Sequence, residues 1–220
     1  MIPLVYASQE PGTLIVRGYG PISVWSWDDG FLYDSATMTS TAGGAVAAGT
    51  ELVLFRDIQN KTYYQTNMSL TSQLPSGWEM IVLQAGIYIP NQPVDETNAA
   101  TIATSVAMAQ QVMEYGYAEF MLDNSAVIMS GPVSRFACPW GLAGHVDVAS
   151  VAGSASSFSV LGNGSPIASA VPYLQIPIFI SDARTFRATI HLYDALAGCP
   201  AAATMTIHMV LHGFIKSPAM

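Results

Sequence analysis

The sequence predicts an all-β protein, an antiparallel sandwich or barrel that carries one amphipathic helix. Three observations predict it. Apolar and polar residues alternate at period two through most of the chain, which is the pattern of strands with one buried face. The alternating runs are short and are bounded by Gly, Pro, Asn and Asp, the residues that turn a chain. One segment, about 95–116, switches to helical spacing. No internal repeat and no linker divides the 220 residues, so a single domain over 1–220 is expected.

Taken in order, "GTLIVRGYG" (12–20) and "PISVWSW" (21–27) are expected strands. "DDG" (28–30) has turn chemistry, and "FLYDSATMTS" (31–40) is the expected return strand. "AGGAVAAG" (42–49) is a small-residue loop. "TELVLFRDI" (50–58), "KTYYQTNMSL" (61–70) and "WEMIVLQAGIYIP" (78–90) continue the strand pattern, the last of them apolar on both faces. "DETNAATIATSVAMAQQVMEYG" (95–116) is rich in Ala, Met and Gln. Ile102, Val106, Ala109 and Met113 fall on one helical face, Asp95 can cap the start and Gly116 can end it. "AEFMLDNSAVIM" (118–129), "SSFSVLG" (156–162), "YLQIPIFIS" (173–181), "TFRATIHLY" (185–193) and "MTIHMVLHGFI" (205–215) complete the strands. Pro177 has no amide proton to give a ladder, so it marks its strand as an edge or a bulge.

Composition narrows the function. Apolar residues make up 51% of the chain and charged residues only 10%, against about 25% charged in a typical domain. A folded chain is expected, because there is ample apolar surface to bury. Scarce charge implies that part of the surface is covered, by sister subunits or a membrane; a surface rich in Ser, Thr, Asn and Gln is the other reading. The net charge is −8, with no basic run, so direct nucleic-acid binding is not expected. Cys138 and Cys199 have no metal-type spacing and are read as free thiols, with one bridge as the alternative. The opening "MIPLVYASQEPG" lacks the basic and apolar regions of a secretory signal. No apolar run approaches the length of about 18 residues needed to span a bilayer.

His208 and His212 invite a metal reading, since four-residue spacing on a helix aligns two ligands. Their flanks alternate, however. On a strand they share a face but sit about 13 Å apart at roughly 3.3 Å per residue, too far for one zinc ion with bonds of about 2 Å. Met209 also stands where a zinc-protease helix carries its glutamate. Arg187, Thr189, His191 and Tyr193 share the polar face of their strand. If 185–193 and 205–214 form a hairpin, His191 falls near His208 and Arg187 near His212. That cluster would bind metal, sense pH or anchor a small hydrolase; the plainer reading is a wet sheet face of hydrogen-bonded histidines. His145 is isolated. Trp25 and Trp27 are a candidate sugar-stacking pair, with Asp28, Asp29 and Asp34 as calcium ligands; a core aromatic pair and a solvated turn are the alternative. Glu79, Glu96, Glu114 and Glu119 are scattered, with no acid–base pairing. No catalytic, cofactor-binding or metal residue is assigned, no cofactor is expected, and the chain is not expected to be an enzyme.

Two stretches carry a resemblance. "TNMSLTSQLPSGWEMIVLQAGIYIP" (66–90) resembles a segment of the major capsid proteins of small icosahedral bacteriophages, many with an internal membrane. There a Thr-Asn strand leads through a Leu-Pro-x-Gly turn into an apolar strand. "AEFMLDNSAVIMSGPVSRFACPWGLAG" (118–144) resembles their next segment, an alternating hairpin that runs through Gly-Pro into a Pro-x-Gly loop. Cys138-Pro139-Trp140 departs from the small residues expected there. The resemblance implies a jelly roll, two four-stranded antiparallel sheets face to face with the helix at 95–116 inserted. It implies a structural capsid protein that self-associates into a shell, with other virion proteins or an internal membrane as partners. Its location would be the virion, and the host cytoplasm before assembly. The competing function is a carbohydrate- or receptor-binding β-sandwich using Trp25 and Trp27.

Overall fold

A computed structural model describes residues 5–89, 108–123, 126–136, 173–199, 201–202 and 204–218. Among these are eleven strands: β1 (Val5–Ala7), β2 (Thr13–Val16), β3 (Gly20–Ser23), β4 (Asp28–Thr39), β5 (Glu51–Leu54), β6 (Glu79–Tyr88), β7 (Gly116–Leu122), β8 (Ala126–Pro132), β9 (Tyr173–Ser181), β10 (Phe186–Leu192) and β11 (Thr204–Lys216). A helix, α1, covers residues 108–115. The strands make three antiparallel sheets, ordered β1-β2-β3, β5-β10-β7-β8 and β4-β11-β6-β9.

The two four-stranded sheets share one core. Leu32, Met80, Val82, Ile87, Ile207, Met209 and Leu211 come from one sheet, and Leu54, Phe120, Leu122, Phe186, Ile190 and Leu192 from the other. Alternation explains this: on β10, Phe186, Ala188, Ile190 and Leu192 point inward while Arg187 and His191 are only half-buried. The same holds for Met205, Ile207, Met209 and Leu211 on β11. β6 is buried on both faces. Its Met80, Val82, Ala85 and Ile87 join the main core, while Ile81 and Leu83 pack with Val16, Ile22 and Trp27 under the small N-terminal sheet.

Several elements differ from the sequence expectation. Asp28, Asp29 and Gly30 do not turn; they are the first residues of β4, opposite Ile215, Phe214 and Gly213. The turn comes earlier, at 24–26. The long partner strand β11 supplies a ladder that overrides local turn chemistry. "KTYYQTNMSL" forms turns, not a strand, because its polar groups bond one another and the edge of β4. The hairpin of 185–193 with 205–214 does not form: β10 pairs with β5 and β7, and β11 with β4 and β6, in separate sheets. Pro177 sits on an edge strand, β9, as its missing donor requires.

Of the expected helix, Asp95, Ile102 and Val106 lie outside the described residues, as does the strand expected at 156–162. In α1, Met108, Ala109 and Val112 are buried and Met113 packs against the core. The Gln111 amide donates to the Ala197 carbonyl and accepts from the Ala197 N–H, both at 2.9 Å, tying the helix to the loop after β10. Helix and strand meet at Gly116, where a Cβ would press on the Val112 carbonyl and lie 2.7 Å from a Val133 methyl.

Gly213 sits where the register of β11 against β6 shifts. A Cβ there would collide with the backbone carbonyl of Ile81. Gly213→Ala is therefore expected to lower stability by about 2–3 kcal/mol through overpacking, read as a lower urea midpoint at unchanged slope. An unchanged midpoint would show that the bulge relaxes freely.

Candidate functional site

His145 lies outside the described residues. The other three histidines occupy three separate places. His191 lies on the outer face of the β5-β10-β7-β8 sheet, while His208 and His212 lie on the outer face of the other. The cluster expected of His191 with His208, and of Arg187 with His212, is therefore not formed. His208 and His212 do share one face of a strand.

His212 bridges strands. Its Nδ1 is 3.0 Å from Gln84 Oε1 and its Nε2 is 3.1 Å from Asp29 Oδ1. His191 is flanked likewise, with Nδ1 3.2 Å from Glu51 Oε1 and Nε2 3.6 Å from Glu119 Oε2. Both rings are engaged by acceptors on neighbouring strands, which is how polar side chains hold a sheet face together. Arg187 donates to Met121 Sδ at 3.4 Å.

His208 is different. It is 4% exposed. Its ring meets Tyr64 edge-on at 5.4 Å between centroids and Tyr88 at 5.7 Å. Nε2 is buried and has no hydrogen-bond partner among the described residues. Burial pushes its pKa below the ordinary histidine value; Asp34 acts in the opposite direction, and Lys61 reinforces burial.

One residue along the ladder, Asp34 lies opposite the inward-pointing Met209 and forms a buried ion pair. Asp34 is fully buried, and Lys61 Nζ stands 2.8 Å from each of its carboxylate oxygens. The Phe55 N–H donates to the same carboxylate, and Lys61 also donates to the Ser35 carbonyl. Phe55 takes a left-handed backbone, φ 65°, with its ring in the core. The Asp34 bond helps hold that unfavourable conformation.

The segment carrying Lys61 continues along the free edge of β4. Asn67 Nδ2 donates to the Phe31 carbonyl and Asn67 Oδ1 accepts from the Tyr33 N–H, both at 2.8 Å. Thr66 Oγ1 and the Asn67 N–H both donate to the Tyr33 carbonyl, at 3.2 Å each. The Tyr33 hydroxyl donates to the Tyr63 carbonyl, and their rings meet edge-on. Residues 61–67 thus satisfy a strand edge that would otherwise be open to another strand.

The remaining candidates disperse. Trp27 is 7% exposed and Trp25 88%, so they form no stacking pair; Trp27 packs with Tyr19 and lies beneath the Lys216 ammonium. Asp28 and Asp29 open β4 while Asp34 is inside, held by Lys61, so the three do not converge on a cation. Glu79 pairs with Lys216 at 3.2 Å, Glu114 is exposed, and Glu96 lies outside the described residues. Among the described residues no group of three or more His, Cys, Asp or Glu is placed to hold a metal ion. Cys199 is a buried free thiol whose pKa burial raises; Cys138 lies outside the described residues. A cleft of about 680 Å³ between β8 and β9 is lined by Leu122, Met129, Phe136 and Ile178, with Arg184 at its rim bound to Asp123 at 2.6 Å.

The Asp34–Lys61 pair and the burial of His208 carry no pattern in the sequence. Asp34 and Lys61 are 27 residues apart, and "KTYYQTN" looks like a strand. The one available signal is that Lys61 is one of few cations in an apolar chain. No family model, curated protein or solved structure matches this chain.

Proposed function

We propose that this chain is a non-enzymatic capsid subunit, a jelly roll that works as one of many copies in an icosahedral shell. The observation that carries the reading is the strand order. Of the eight strands β4 to β11, the first pairs with the last, the second with the seventh, the third with the sixth and the fourth with the fifth. A long antiparallel ribbon folded over on itself gives that order, which supports the jelly-roll reading. The likeness of 66–90 and 118–144 to phage capsid segments supports the same reading.

The surface supports it too. Phe31, Tyr63, Tyr64, Val127, Ile128 and Ile176 are exposed, and charge is only 10% of the chain. Apolar side chains on strand edges suit repeated lateral contacts, which can be weak individually when many copies close a shell. With a net charge of −8 and no basic run, the shell would meet the genome through another virion protein or an internal membrane. The carbohydrate-binding alternative loses the tryptophan stack it relied on.

Light scattering and negative-stain microscopy of the purified chain test this. The expected result is large, regular closed particles whose mass corresponds to many copies. A protein that stays a dispersed monomer at high concentration, across salt and pH, would overturn the proposal.

A further inference from the structure

We infer that residues 61–67 are an acid-labile latch over the edge of β4, with His208 as its trigger. The inference does not depend on the capsid reading. It rests on three arrangements already described: a buried imidazole with an unpartnered nitrogen, an aromatic cover on a loop, and a strand edge satisfied by that loop.

A neutral imidazole suits the site between Tyr64 and Tyr88. An imidazolium does not. From β4 it faces Ser35 in the ladder and feels the Asp34 charge; from the loop it faces Tyr64 and feels Lys61; from β6 it faces Tyr88. Asp34, the carboxylate in that set, already takes two contacts from Lys61 and one from the Phe55 N–H. An imidazolium carries a proton on both nitrogens, so its buried Nε2–H would find no acceptor among the described residues, and burial outweighs the attraction of Asp34, which Lys61 partly offsets. A buried, unpaired charge is costly, so the site must open to water.

It opens on the loop side. His208 is held by ladders on both flanks, to β4 and to β6, in the middle of a sheet. Tyr64 is 65% exposed and lies between two attachments to β4, the Lys61–Asp34 ion pair, which stays in place, and the Asn67 hydrogen bonds, which give way. Moving Tyr64 hydrates the imidazolium at the lowest structural cost. The same movement releases Asn67 from Phe31 and Tyr33, which frees the strand edge.

The sign follows from linkage. The open state has histidine near its ordinary pKa of about 6.5, and the closed state has it lower. Between the two values the open state binds a proton that the closed state refuses. Opening therefore becomes up to about tenfold more favourable for each unit of pH fall through that window, and above it the balance no longer changes with pH.

Hydrogen exchange of the full chain between pH 7.5 and 5, corrected for intrinsic exchange, tests the latch. The Tyr33 and Asn67 amides should lose protection as pH falls, while those of Phe120 and Ile190 in the other sheet keep theirs. In wild type the His208 ring proton, followed by NMR, should titrate below the ordinary histidine range and in step with that loss. His208→Phe should hold the amides protected throughout; His208→Gln serves if the phenylalanine variant does not fold. The inference is overturned if wild type keeps Tyr33 protected to pH 5. It is equally overturned if a non-titrating variant shows the same loss, or if the core amides open in the same window.

Discussion

Asp34→Ala should destabilise the fold by about 3–5 kcal/mol, the usual result of removing one member of a buried ion pair. Asp34 is fully buried, and its loss leaves the Lys61 ammonium without its counter-charge and the Phe55 N–H without its acceptor. It also removes the bond that helps hold the left-handed Phe55 backbone. Urea unfolding measures the change. The double variant Asp34→Ala with Lys61→Met should recover a large part of the loss, because it removes the stranded charge as well. A loss below about 1 kcal/mol, the range of exposed pairs, would show that Lys61 simply turns out to water.

Val112→Asp should prevent stable folding, with an expected loss of about 4–5 kcal/mol or more, at the extreme of single substitutions. Val112 is fully buried on α1, in the core that joins the helix to both large sheets. A carboxylate there would be fully buried in a cluster of apolar side chains. Glu114→Ala on the exposed side of the same helix is the control, with a change within about 0.5 kcal/mol. Far-ultraviolet circular dichroism and soluble yield report the difference. Equal behaviour of the two variants would mean that α1 does not pack as described.

These two sites show what is readable in a sequence and what is not. That one face of the helix is buried follows from spacing alone: it points Ala109 and Met113 inward and ends the helix at Gly116, where backbone and Val133 leave no room for a Cβ. The inward faces of β10 and β11, the strand character of 205–215 and the edge position of Pro177 follow in the same way. Each is a property of a single segment, because side-chain direction repeats with a fixed period along one strand or helix. The Asp34–Lys61 pair and its histidine follow from no such period.

Spacing along the chain is enough to give the strand-rich class, the buried faces and the ends of several elements. Which elements become neighbours is set by the packing of the whole fold. It put β10 and β11 in opposite sheets where a local hairpin looked natural, and so kept His191 from His208. It drew Asp28 to Gly30 into a ladder with β11, against their turn chemistry. It buried Trp27 and left Trp25 outside, two residues apart on the chain. It folded "KTYYQTN" across the edge of β4, where Asn67 meets backbone groups more than thirty residues away. The physical reason is common to all four: a period says which side of a strand avoids water, but carries no information about which distant strand supplies the hydrogen bonds. That choice is made by the packing of the whole chain, where a long ladder or a shared core outweighs any local preference.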